Sequence, residues 1–140
     1  MTVGWFLKGL TQYSDFSTRA RRREYWWFLV VMWLVVVALG SFAYVTGADA
    51  FTDANDNIVT PTAGDLGFVS WIFIIATVVA AVGLLIPYWA VTVRRLHDRG
   101  LSGWFALFLL VLPVVVYIIA LLDSQPGDNA YGPDPKASER

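Results

Sequence analysis

The stretch YWWFLVVMWLVVVALGSFAYVTGA, Tyr25–Ala48, contains no Asp, Glu, Lys or Arg, and that decides the fold class. A bilayer core about 30 Å thick is crossed by a helix of roughly 20 consecutive apolar residues. Two further runs, Leu66–Val93 and Gly100–Leu122, are equally free of those charges. A soluble chain of 140 residues has too little interior to hide three helices that are apolar all round, because a surface helix needs a polar face. Composition agrees. Of the residues, 57% are hydrophobic and 15% charged, with a mean hydropathy of +0.58, whereas soluble domains sit near half apolar and a quarter charged. The sequence reads as an all-α integral membrane protein, a single membrane domain over 1–140. It has three hydrophobic helical segments and a short amphipathic interfacial helix at its N-terminus.

The distribution of charge orients these segments. Arg19, Arg21, Arg22 and Arg23 stand just before Tyr25, Trp26 and Trp27, and arginines followed by an aromatic belt mark a span that starts on the cytoplasmic side. The linker Gly47–Gly67 carries Asp49, Asp53, Asp56 and Asp65 with no Lys or Arg, and RRLHDRGLS then brings three more arginines. The expected order is therefore an interfacial helix over 2–14, a first span over 24–46, an extracytoplasmic loop over 47–67, a second span over 68–93, a cytoplasmic loop over 94–102, a third span over 103–122 and a polar tail over 123–140. Val3, Phe6, Leu7, Leu10 and Tyr13 fall at helical spacing in the first of these, with Trp5 at headgroup depth. The first span is read as uncleaved, since its apolar run is about twice the length of a signal-peptide core. Ser17 or Thr18 is expected to cap the helix that follows, and Pro87 to kink the second span near 83–87.

The third run is ambiguous. Pro113 at its centre either kinks a spanning helix or turns a re-entrant hairpin that returns to the cytoplasm. The simple span is the reading adopted; the hairpin stands as the alternative.

VRRLHDRGLSGW, Val93–Trp104, holds three arginines, an aspartate and the only histidine. On a helix, Arg94 or Arg95 reaches Asp98 from four or three residues away. His97 and Asp98 point about 100° apart and cannot form a dyad with each other. Gly100 is placed to end the helix, and Ser102 to cap the run that follows. Arginines at a cytoplasmic interface bind phosphate bidentately, so Arg94, Arg95 and His97, with Arg19, Arg22 and Arg23, are the candidate anion or headgroup site. Arg19 also offers itself to an acidic partner such as Asp98. For catalysis only His97 and Asp98 are candidates. With no cysteine and one histidine, no metal site or cofactor is expected. Nucleic-acid binding is rejected because the basic cluster adjoins an aromatic-flanked span. The lack of Asp, Glu, Lys, Arg and His within the three uncharged runs argues against ion coupling. Ala76, Ala80, Ala81 and Gly83 are candidates for close packing against a membrane-protein partner or a second copy.

Three ordered motifs resemble those of a known family, the YhaH-like bacterial inner-membrane proteins, a domain of unknown function (number 805). The first is Thr18-Arg19-Ala20-Arg21-Arg22-Arg23-Glu24-Tyr25-Trp26, with threonine where the family usually has glycine. The second is Arg94, Arg95, Leu96, His97, Asp98, Gly100, Ser102, Gly103 and Trp104, and the third is Asn129, Tyr131, Gly132, Pro133, Asp134 and Pro135. Pro113 fits a family Ile-Pro pattern, although a glycine often found soon after it is absent. The resemblance implies a multi-pass protein of the bacterial inner membrane and supplies no activity. It makes Gly100, Ser102, Gly103, Trp104, Asn129 and Tyr131 structural motif positions, and recurrence of the motifs as a set suggests that they meet in space. The expected function is a non-enzymatic membrane component engaging anionic phospholipid or a protein partner. The alternative is an enzyme or transporter acting on a phosphate-bearing lipid, with His97 as acid/base and Asp98 or Asp134 orienting it.

Overall fold

Backbone polar groups have no water to bond in lipid, so a long uncharged run resolves into helix or closed barrel. The computed structural model takes the first course. It describes residues 3–53 and 57–137; Asp56 and the side chains of Val3, Trp5 and Asp49 lie outside the described residues. Among those described, the regular elements are helical, with no strand beyond two isolated bridges, Thr52 with Ile58 and Asn129 with Gly132.

Two helices have the length and composition to cross a membrane, α2 (Arg22–Thr46) and α3 (Phe68–Asp98). Their 25 and 31 residues, at about 1.5 Å each, make rods of roughly 37 and 46 Å. Only 6% of the most apolar window of each is buried within the protein. A soluble core helix would be mostly buried; here Trp33, Val45, Val79 and Val82 face outward and require lipid around them.

The chain forms two compact units. The smaller, 32–83, holds the second half of α2 and the first half of α3. Phe42 and Phe73 stack there at 5.3 Å, and Gly47 lets the chain pass close to Ser70, whose Oγ would lie 3.1 Å from any Cβ at that position. The larger, 1–31 with 84–140, holds the fully buried hydrophobic side chains found among the described residues, including Tyr25, Phe28, Val91, Leu96 and Val116. Small side chains at Ala20, Ala90, Ala106 and Ala120 are buried with them and allow backbones to approach closely. Helix α1 (Val3–Thr11) packs on α2, with Phe6 stacked on Phe28 at 5.4 Å. A Cβ at Gly9 would come within 2.6 Å of the Phe28 ring.

Local signals end α3 as the sequence indicates. Gly100 has φ +72°, and Leu101 N donates to Leu96 O while Gly100 N donates to His97 O. This pair of bonds is the Schellman arrangement that closes a helix with a left-handed glycine. Ser102 follows as N-cap of a 3-10 turn, Gly103–Leu107, its side chain accepting from Trp104 N. At the start of α2 the outcome differs from the expected cap. Ser17 and Thr18 direct their hydroxyls and amides to the Asp15 carboxylate, and the helix begins four residues after Thr18, at Arg22. Asp15 is the nearer and stronger acceptor, so it gathers these donors in a local turn.

The third apolar run departs from the single helix expected over 103–122. After the 3-10 turn come α4 (Phe108–Val111), a break at Leu112 with φ −145° and ψ 68°, and α5 (Pro113–Leu121). The break follows from Pro113, whose ring drives the preceding residue out of the α region. The 9 residues of α5 measure roughly 13 Å, less than half a bilayer core. Both ends of the run lie at the end of α3: it departs at Ser102, and Gln125 N donates to Asp98 O at 3.1 Å.

Candidate functional site

The last turns of α3 direct four polar side chains outward in four directions, because each residue advances about 100° around the axis. Arg94, Arg95 and Asp98 are each at most 1% exposed, and His97 7%. Burial at this level obliges charges to find partners, and each direction meets a different segment.

Arg94 turns toward α1 and α2. Its Nη1 donates to Glu24 Oε1 at 2.6 Å and to Gln12 Oε1 at 2.7 Å. The other Glu24 oxygen accepts from Lys8 Nζ at 2.8 Å, so one buried carboxylate joins α1, α2 and α3. Arg95 turns toward the returning third run, donating to the Ala120 and Leu122 carbonyls as well as to Asp98 Oδ2. These carbonyls lie at the C-terminal end of α5, where a cation also meets the negative end of the helix dipole. Of the two arginines expected to compete for Asp98, Arg95 pairs with it and Arg94 does not.

Asp98 turns toward Arg19, whose Nε donates to Oδ1 at 3.1 Å. The rest of that guanidinium binds the tail: Nη2 donates to Gln125 O at 2.7 Å, and Nη1 to Gly127 O at 2.8 Å and Gly132 O at 3.3 Å. His97 turns toward Tyr131, and the rings stack with centroids 3.8 Å apart and planes 5° from parallel. Asn129 completes the dock. Its Nδ2 donates to His97 O at 3.0 Å, and its Oδ1 accepts from Tyr131 N at 2.9 Å. Gly127 and Gly132, with φ +77° and +125°, supply the left-handed turns that bend the tail around Arg19.

Asp134 accepts from the Gly127 and Lys136 amides. Arg21 donates to Pro135 O, and Lys136 pairs with Asp123. That ammonium, with the Ser124 amide, holds the Asp123 carboxyl down at about 2. Burial works against ionisation of Asp15, but the hydrogen bonds from Thr18 and Ser17 outweigh it and hold its carboxyl at about 2 as well.

The three polar motifs thus converge within one unit. Arg19, Arg94, Arg95, His97 and Asp98 are buried in the network, whereas Arg22 and Arg23 remain exposed. Arg22 Nη1 lies 3.3 Å from Leu121 O.

Residues 13–133 match the family described as Protein of unknown function (DUF805). The chain belongs to this family. It is 36% identical over 137 residues to Inner membrane protein YhaH of Escherichia coli (strain K12), covering 96% of this chain and 98% of that one. It is 30% identical over 136 residues to Inner membrane protein YhaI of the same strain, covering 94% and 95%. No solved structure shows a significant match. Family membership, together with two lipid-requiring helices, makes this a transmembrane protein in a bilayer environment.

The sequence reading missed Glu24, Gln12, Lys8 and Gln125 as network members. Glu24 carried a usable signal: it is the only acid between Asp15 and Asp49, directly before a long uncharged run, and an acid there needs a buried cation. Gln12 and Gln125 carried none.

Proposed function

We propose that the protein is a non-enzymatic component of the bacterial inner membrane that holds anionic lipid headgroups at its cytoplasmic face. One observation carries the reading. Arg21, Arg22, Arg23 and Lys136 line a cleft of about 80 Å³, and Arg22 and Arg23 also line an apolar cleft of about 290 Å³ with Trp26, Trp27 and Val30. A phosphate suits the first and the upper part of an acyl chain the second. In this reading Arg22 and Arg23 meet the headgroup. Arg19, Arg94, Arg95 and His97 hold the joint that presents them. The arginine distribution supports a cytoplasmic N-terminus, and the relatives' names support the inner membrane. The third run then enters the bilayer and returns, which leaves the tail on the cytoplasmic side.

The acid–base alternative needs a carboxylate turned to His97. The two oxygens of Asp98 accept from Arg19 and Arg95, and those of Asp134 from backbone amides; neither arrangement supports it.

The test is lipid retention by the doubly substituted Arg22→Gln/Arg23→Gln protein in nanodiscs containing phosphatidylglycerol and phosphatidylethanolamine, read by native mass spectrometry. At about 1 kcal/mol per interfacial arginine, retained phosphatidylglycerol should fall roughly ten- to thirtyfold in affinity, with phosphatidylethanolamine unaffected. Unchanged phosphatidylglycerol in a normally inserted variant would remove the proposal.

A further inference from the structure

Apart from the two clefts lined by Arg22 and Arg23, the larger unit has a further cavity of about 460 Å³ beside the end of α3, open on one side. Phe16, Trp89, Trp104 and Tyr131 give it aromatic walls, and His97 and Ser102 add an imidazole and a hydroxyl to the lining. That volume lies within the range of small-molecule sites, roughly 300–1,000 Å³, which are mostly apolar with a few placed polar groups.

The lining specifies the ligand by exclusion. None of the lining residues carries a carboxylate, lysine or arginine, so nothing there neutralises a phosphate. A cation likewise finds no carboxylate in the lining to pair with. The occupant is therefore neutral. An acyl chain would gain only burial from these walls, whereas a conjugated ring adds about 0.5–1.5 kcal/mol per well-placed aromatic partner. His97 supplies the directional contact. It is stacked on Tyr131, and its Nε2 faces Gly103, where a Cβ would lie only 3.2 Å away. A neutral imidazole nitrogen donates or accepts according to tautomer, so it bonds a ring carbonyl or a ring hydroxyl equally well. Trp104, 78% exposed on the apolar run, stands at the cavity's outer edge, where a ligand dissolved in the bilayer would arrive.

We infer that this cavity binds a neutral, ring-bearing membrane amphiphile of the quinone or quinol class, with the ring among the aromatic side chains and a ring oxygen on His97 Nε2. Binding alone is assigned; no electron transfer is invoked.

The experiment titrates the purified full chain in nanodiscs with a ubiquinone bearing one isoprenoid unit, reading quenching of tryptophan fluorescence. Saturable quenching is expected. His97→Phe, which preserves the ring stack on Tyr131 and the backbone carbonyl used by Asn129, should weaken binding about tenfold through loss of one hydrogen bond. Trp104→Leu, at an exposed position, should weaken it while leaving the fold intact. Arg22→Gln/Arg23→Gln should bind the quinone as the parent does, which keeps this site distinct from the headgroup cleft. Quenching that never saturates, unchanged affinity in both His97→Phe and Trp104→Leu, or displacement by decanol as effective as by a second quinone would each overturn the assignment.

Discussion

Arg19 Nε donates to Asp98 Oδ1 at 3.1 Å although 79 positions separate them. The same guanidinium bonds three tail carbonyls, so one side chain ties the segment before α2, the end of α3 and the tail together. Arg94 works differently: both of its side-chain hydrogen bonds are made by Nη1.

That contrast predicts unequal tolerance of lysine. A lysine is a point charge without the planar fork, so Arg94→Lys retains most of what Arg94 does and Arg19→Lys does not. Thermal unfolding in detergent should show Arg19→Lys losing about 2–3 kcal/mol and Arg94→Lys about 1 kcal/mol. The reverse order would contradict the assigned bonding.

Glu24 accepts from two cations of different exposure, since the Lys8 side chain is 43% exposed and the Arg94 side chain fully buried. Breaking a buried pair leaves an uncompensated charge and costs about 3–5 kcal/mol, while an exposed pair contributes under about 1 kcal/mol. Glu24→Gln should therefore be strongly destabilising. In double-mutant cycles its coupling to Arg94→Met should exceed its coupling to Lys8→Met; equal couplings would count against the geometry.

The two depressed carboxyls set a pH window. Asp15 and Asp123 each sit at about 2 rather than the ordinary 3.8. A depressed folded-state value means that their hydrogen bonds contribute fully above the unfolded value, and that this contribution disappears as pH falls through the folded one. The Ser17 amide shift, which reports its bond to Asp15, should hold constant from pH 7 to about 4 and titrate with a midpoint near 2. A midpoint near 4 would mean that the turn does not form.

The return of the third run to the end of α3 predicts where the tail lies. A topology reporter fused after the tail should give the same side as one fused to the N-terminus, and one inserted in the acidic 47–67 loop the opposite side. A C-terminal reporter on the side of that loop would require the run to cross, and would remove the membrane-dip reading.

Much of this was legible along the chain. Uncharged runs marked α2 and α3, because hydropathy and helix length are local properties. The Gly100 stop and the Ser102 cap were legible for the same reason, each depending on a few neighbouring residues. Arg95 with Asp98 was readable from helical spacing, and Arg19 with Asp98 was nameable as a charge match. The partners of Arg94 were not readable, since Glu24 and Gln12 lie far from it in sequence. Nor was the fate of Ser17 and Thr18, for which Asp15 competes locally with the helix.

The sequence by itself determined a transmembrane helical protein and the position of its polar joint, because the exclusion of charge from lipid is a property of composition. Only the tertiary structure decided that the third run breaks at Leu112 into two short helices and which arginines are buried. Pro113 sets the break, and the end of the run is held by the Ala120 and Leu122 carbonyls accepting from Arg95 and by the Gln125 amide donating to the Asp98 carbonyl. Those contacts join residues whose proximity no local pattern encodes; it arises when the chain folds back on itself.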